Sequence, residues 1–152
     1  MVKKPVFEND KLIIYTDGGS RGNPGPAAIA VVIADERDQV VKSYSKTIGQ
    51  ATNNEAEYEA LLFGLQKVRA LFGKVKIKRM DIEMRADSEL VVEHLNGRYK
   101  IEEERLWPRF MKVWNTRLDF GEIQVKHVSR SKNKEADRLV NQALDSQQGS
   151  LL

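Results

Sequence analysis

Lys11–Thr16 reads KLIIYT, apolar with little polar alternation and rich in β-branched and aromatic residues, the pattern of a strand buried on both faces. Ala27–Ala34 (AAIAVVIA) predicts a second strand and Val40–Ile48 (VVKSYSKTI) a third. The charged turn at residues 35–39 between them predicts an antiparallel hairpin. The alternation Ile82, Met84, Ala86 ends the segment 75–86 in a fourth strand, and Glu122–Val128 (EIQVKHV) is the fifth. Thr52-Asn-Asn-Glu55 is a capping-box pattern, which starts a long helix running to about Phe72 with Gly73 as its stop. Ser88–Asn96 predicts a second helix, ended by Gly97. Trp107, Phe110, Met111, Trp114 and Leu118 recur at helical spacing in a third, and the stripe reads as core. A fourth runs from Asn133 to about Leu144. A hairpin followed by β-α-β crossovers predicts an α/β fold with a mixed five-stranded sheet and packed helices. The chain reads as one domain over residues 1–152, its core about 11–145, with loose tails at 1–10 and 146–152.

At 152 residues a single core buries roughly two-thirds of the unfolded surface, so no staple is required. The absence of cysteine excludes a disulfide scaffold, a cysteine nucleophile and a thiolate zinc site. It also fits a reducing compartment, and a cytoplasmic location is expected. The start, MVKKPVFENDK, has no apolar stretch of a secretory signal, and no apolar run approaches membrane-spanning length. No membrane partner is expected. A net charge of +3 permits a polyanionic partner without arguing for one.

Four acids stand at unusual places. Asp17 closes the first strand in TDGGSRGNPGP, where an isolated buried carboxylate is costly; a turn-opening Asp that bonds its own backbone is the local alternative. With Glu57 set at zero on the long helix and about 100° per residue, Leu61, Leu65, Val68 and Phe72 fall between about 20° and 80°. Glu57 therefore borders the apolar stripe, whereas Glu55 and Glu59 face solvent. Asp87 ends the fourth strand, where a helix cap is the alternative reading. Asp137 flanks the stripe of the last helix, where the helix dipole alone would favour an acid. Ligands of open α/β sheets gather at the carboxyl ends of the strands, where these acids converge. Four converging carboxylates cannot all stay ionised without cations, and oxygen-only ligation favours Mg²⁺ or Mn²⁺. A pair of such ions about 4 Å apart is the machinery for in-line displacement at a phosphodiester.

TDGGSRGNPGPAAIAVVI, TNNEAEYEALLFGL, RADSELVVEHLNG and HVSRSKNKEADRLVNQAL, in that order, resemble ribonuclease H type 1 over about residues 11–145. The resemblance implies the ribonuclease H-like fold, its first three strands antiparallel, the first, fourth and fifth parallel, and helices on both faces. It implies that Asp17, Glu57, Asp87 and Asp137 hold two Mg²⁺ ions, with Mn²⁺ possible. The implied substrate is an RNA/DNA hybrid, whose RNA strand is hydrolysed endonucleolytically to 5′-phosphate and 3′-hydroxyl ends. Gly18, Ser20, Asn23, Asn53 and Asn54 correspond to positions that meet 2′-hydroxyls or hold substrate, and Thr52 to one that meets a DNA phosphate. Helix capping alone is the alternative for the two adjacent asparagines.

The sequence departs from that family pattern in two places. The loop before Asp137 lacks the usual histidine, so Arg130 is the candidate for assisting product or metal release, against a plain surface arginine. His127 continues the alternation Ile123, Val125 and reads as a strand residue among core neighbours, and His94 as a surface histidine. The segment GRYKIEEER at 97–105 is too short and acidic to form a basic substrate handle, leaving scattered cations such as Lys126, Lys132, Lys134 and Arg138. The protein is expected to act as a monomer. A 3′–5′ exonuclease of the same fold is opposed by Gly19, where that class carries a second acid. An actin-like ATPase needs two domains, and a binding module with a relic site would not keep all four acids.

Overall fold

A computed structural model describes residues 11–150, with side chains through residue 148; the expected tail at 1–10 and residues 151–152 lie outside the described residues. The elements run β1 (Lys11–Ser20), β2 (Gly25–Asp35), β3 (Val40–Ala51), α1 (Asn53–Ile77), β4 (Asp81–Ala86), α2 (Glu89–Leu95), α3 (Trp107–Arg117), β5 (Glu122–His127) and α4 (Lys134–Ser150). Single 3₁₀ turns at Glu104–Leu106 and Arg130–Lys132 precede α3 and α4. The sheet order is β3-β2-β1-β4-β5. β1 and β2 pair antiparallel, as do β2 and β3, whereas β1, β4 and β5 run parallel. This is the expected mixed sheet.

β1 lacks polar alternation because both its faces are covered. Leu12 and Ile14 join the larger core, formed with Ile29, Val31 and Ile33 of β2, the apolar face of α1, and α2 and α3. On the opposite face, Ala28, Ala30 and Val32 of β2 meet Ala136, Val140 and Leu144 of α4, with Tyr15 of β1 packed against them. β3, one of the two edge strands, is mostly exposed, and its Tyr44 and Ile48 pack against the larger core. Beyond α4, that face carries Glu83 of β4, which is buried beneath three cations: Lys11 and Lys126 each at 2.9 Å and Arg85 at 2.5 Å. Burial would raise the Glu83 pKa, but these cations outweigh it and hold it down at about 2.

Four expectations change. Gly73 interrupts α1 with φ 85° and ψ 161°, a conformation open to a residue without a Cβ, and a further helical turn follows it. Ile77, fully buried, draws that turn back onto the core. The segment after Leu144 is not loose, because α4 continues through Ser150. Arg21, in the loop between β1 and β2, reaches Asp145 at 2.6 Å and Gln148 at 3.0 Å.

The stripe on α3 is not core: Trp107 (50%), Met111 (55%), Trp114 (39%) and Leu118 (70%) are exposed. The inward face is instead Leu106, Arg109, Phe110 and Val113, an i, i+3, i+4, i+7 set. Arg109 is drawn inward by two acids of α1, Glu55 at 2.9 Å and Glu59 at 3.2 Å. Those glutamates therefore face α3 rather than open solvent. Val113 fills the position that Trp114 was expected to take.

Candidate active site

The close approach of α1 to β1 begins with a glycine. A Cβ at Gly18 would lie 2.2 Å from the Ala56 carbonyl oxygen, so no side chain fits there. That contact lets the first turn of α1 seat directly on the strand and brings Glu57 to the end of β1. The Gly18 N–H donates to Glu57 Oε1 at 3.4 Å. The helix start is fixed by the expected capping box: the Glu55 N–H donates to Thr52 Oγ1 (3.2 Å), and the Thr52 N–H donates to Glu55 Oε1 (2.9 Å).

Polar side chains tie this turn to the loop after β1. The Asn53 N–H donates to Asn23 Oδ1 (2.9 Å), and Asn53 Oδ1 accepts from the Ser20 N–H (3.0 Å) and hydroxyl (3.3 Å). Ser88 supplies the N-cap of α2 by accepting from the Val91 N–H at 3.4 Å. That removes the capping alternative for Asp87. At the start of α4, the buried side chain of Asn133 donates to the Thr16 carbonyl at 2.9 Å, which anchors the turn that carries Asp137 beside the end of β1.

Asp17, Glu57 and Asp87 each offer a carboxylate oxygen, and the three oxygens lie within 4.8 Å of one another. Glu57 Oε2 and Asp87 Oδ2 are buried without a hydrogen-bond partner. Burial, followed by repulsion from Asp87 and then Asp137, pushes the Asp17 pKa up to about 7, against the hydrogen bond from Glu57 and the charge of Arg130. Burial, then Asp17 and Asp87, raise the Glu57 pKa well above the carboxylate range. Converging, partly orphaned oxygens whose negative charge is penalised fit a hard divalent cation.

Of the residues singled out from the sequence, Asp17, Glu57, Asp87, Asp137 and Arg130 border one groove of about 540 Å³ together with Gly18, Ser20, Asn53 and Asn54. Asp137 stands outside the tight trio. Thr52, nearly buried at the helix cap, and Asn23, which accepts from the Asn53 N–H, are not among the residues that line this groove. Arg130 is strongly exposed, with Nε 3.9 Å from Asp87 Oδ2.

Other expectations are corrected. His127 is a strand residue as expected but lies exposed at the tip of β5, where the buried alternation has run out. His94 is not on the surface: it is buried, and its Nδ1 lies 2.7 Å from the Tyr58 hydroxyl. A polar residue amid Val91, Val92 and Leu95 was the signal, since burial there demands a partner. Two of the four scattered cations are already engaged, Lys126 with Glu83 and Arg138 with Glu135. Arg21, which sequence reasoning passed over, also borders the groove; its place inside the Gly-rich loop was the available clue.

A family model described as reverse transcriptase-like matches residues 15–143. The chain is 40% identical over 131 residues to the ribonuclease HI of Halobacterium salinarum, covering 86% of this chain and 63% of that protein. It is 39% identical over 137 residues to the bifunctional protein Rv2228c of Mycobacterium tuberculosis, covering 90% of this chain and 36% of that one. The crystal structure of LC11-RNase H1 in complex with an RNA/DNA hybrid matches with a TM-score of 0.84 at 44% identity, covering 89% of this chain and 97% of that chain. The chain belongs to the ribonuclease H type 1 family. This ribonuclease H domain thus spans from about a third to under two-thirds of the length of these curated relatives. Its fold is the one that the four sequence motifs implied. No described helix of the domain is long and apolar enough to cross a membrane.

Proposed function

We propose that this ribonuclease H domain is a metal-dependent endoribonuclease that hydrolyses the RNA strand of RNA/DNA hybrids, leaving 5′-phosphate and 3′-hydroxyl ends. The observation that carries this reading is the trio of carboxylate oxygens within 4.8 Å, two of its members having buried oxygens without partners. The groove beside it has room for a nucleic-acid backbone, and the similar LC11 protein was crystallised with an RNA/DNA hybrid.

Asp17, Glu57, Asp87 and Asp137 are the residues that would hold two Mg²⁺ ions, or Mn²⁺ in their place. Divalent cations at these oxygens supply the Lewis acidity that activates water at a phosphodiester and stabilises the departing 3′-oxygen. Burial keeps Asp17 and Glu57 protonated to unusually high pH, so both must release protons before they can serve as ligands. The oxygens of the Asn23 and Asn53 amides are used within the protein, which leaves their NH₂ groups to donate to 2′-hydroxyls. Asn54 and the Gly18–Ser20 backbone border the same groove. Thr52 Oγ1 accepts from the Glu55 N–H, so its own hydrogen remains available to a DNA phosphate. Arg130 is the residue that would assist release of products or metal, a reading supported by its exposure and its 3.9 Å approach to Asp87. The protein is proposed to act as a monomer in the cytoplasm.

End-labelled RNA/DNA hybrid, RNA duplex and DNA duplex, each incubated with and without Mg²⁺, test the reading. Internal cuts in the RNA of the hybrid alone, dependent on Mg²⁺, are expected. Metal-independent cleavage, or cleavage confined to DNA, would overturn it.

A further inference from the structure

Tyr58 follows Glu57 on α1 and is fully buried. Its hydroxyl lies 2.7 Å from Nδ1 of His94 on α2, and the two rings are close to parallel (11°), with centroids 6.1 Å apart. Phe110 of α3 stands edge-on to Tyr58 at 6.5 Å and completes the enclosure. Burial raises the phenol pKa and lowers that of the imidazole, so both groups are neutral. The two share one short hydrogen bond, whose direction follows the imidazole tautomer.

Among the described residues this is the only side-chain hydrogen bond that joins α1 to α2. These helices adjoin two of the clustered acids: Glu57 directly precedes Tyr58, and Asp87 directly precedes the Ser88 cap of α2. Glu57 Oε2 and Asp87 Oδ2 are buried without a hydrogen-bond partner, so no direct bond between the two carboxylates fixes their spacing. A hydrogen bond seven residues beyond Asp87 and one beyond Glu57 ties their two elements together instead. The packed rings set its length, because neither can move far within a filled core.

We propose that Tyr58 and His94 are positioning residues whose hydrogen bond sets the Glu57–Asp87 spacing and thereby the affinity of the site for a divalent cation. The proposal rests on the carboxylate cluster being the metal site. A purely structural role would lower stability without touching that affinity.

Three variants separate the two roles. Tyr58→Phe keeps the ring and removes the bond, His94→Leu removes the partner of the phenol, and His94→Asn keeps an amide there that can accept from or donate to it. Mg²⁺ binding is read by calorimetry without nucleic acid, and the Mg²⁺ concentration for half-maximal cleavage is read separately. Tyr58→Phe and His94→Leu are expected to weaken Mg²⁺ binding about fivefold, equivalent to about 1 kcal/mol for one buried hydrogen bond. KM for the hybrid at saturating Mg²⁺ should hold, and His94→Asn should recover most of the loss. Folded Tyr58→Phe that melts lower yet binds Mg²⁺ as the parent does would overturn the proposal, as would failure of His94→Asn to recover any affinity while Tyr58→Phe retains it. If the unaltered protein neither binds Mg²⁺ nor requires it, the metal-site reading itself fails, a result distinct from failure of the positioning role.

Discussion

Replacing Asp17 with asparagine should make the metal-free protein more stable while abolishing its activity. Asp17 is buried, and its pKa in the fold is about 7 against an ordinary 3.8. A carboxyl whose pKa is raised by folding contributes stability that is complete below its unfolded pKa. That contribution is lost as pH rises through the folded value, here between about 4 and 7. Above pH 7 the ionised Asp17 costs about 3 pH units at 1.36 kcal/mol each, or about 4 kcal/mol. At pH 5 the cost is only about 2 kcal/mol, so between pH 5 and pH 8 about 2–3 kcal/mol separates the two conditions. The asparagine side chain is neutral at both. Thermal unfolding followed by circular dichroism in EDTA should therefore show Asp17→Asn melting above the parent. Its advantage should grow by about 5–10 °C from pH 5 to pH 8, at 2–4 °C per kcal/mol for a chain of this size. Mg²⁺ should raise the parent's melting temperature at pH 8 and move that of the variant little. A variant that melts at or below the parent at pH 8 in EDTA would refute the electrostatic account of the cluster.

The helical turn that holds three glutamates separates their roles: Glu57→Gln should abolish hybrid cleavage at saturating Mg²⁺. Glu55→Gln and Glu59→Gln should keep activity within a few-fold while lowering the melting temperature slightly, because each pairs with Arg109; equal damage from Glu59→Gln would contradict the placement. Gly18→Ala forces a Cβ to within 2.2 Å of the Ala56 carbonyl, so α1 must shift. It should cost at least about 2 kcal/mol in denaturant unfolding together with most of the activity, and near-parental kinetics would refute the close-approach argument. Arg130→Ala should lower turnover more than affinity for hybrid, and His127→Ala, exposed at the end of β5, should alter neither stability nor turnover by much. A large turnover loss confined to His127→Ala in steady-state assays would reverse their roles.

Much of the sheet was legible because a strand covered on both faces has nothing polar to show, as in Lys11–Thr16 and Ala27–Ala34. The trio of acids was legible for the opposite reason: Asp17 and Glu57 border apolar neighbours where charge is disfavoured. What escaped the sequence involved partners distant in the chain. The stripe on α3 was assigned by hydrophobicity alone, yet the helix is rotated so that Arg109 meets Glu55 and Glu59, about 50 residues earlier. His94 looked unpartnered until Tyr58, 36 residues earlier, came within 2.7 Å. The polar end of α4 looked loose because nothing local marks it as helical, whereas Arg21 meets it from the other end of the chain.

The unequal thickness of the two cores divides the site into a rigid part and a yielding one. Asp17, Glu57 and Asp87 belong to β1, α1 and the end of β4, elements backed by the large cluster of Leu, Ile, Val and Met side chains. Asp137 belongs to α4, whose fully buried contact is six residues, three of them alanine. Local opening is easiest where the least apolar area must be exposed, so α4 amides should exchange with deuterium before those of α1. Three oxygens then form a fixed frame, while the fourth acid can adjust its distance as charge enters and leaves the groove. Slower α4 than α1 exchange would show this division to be wrong.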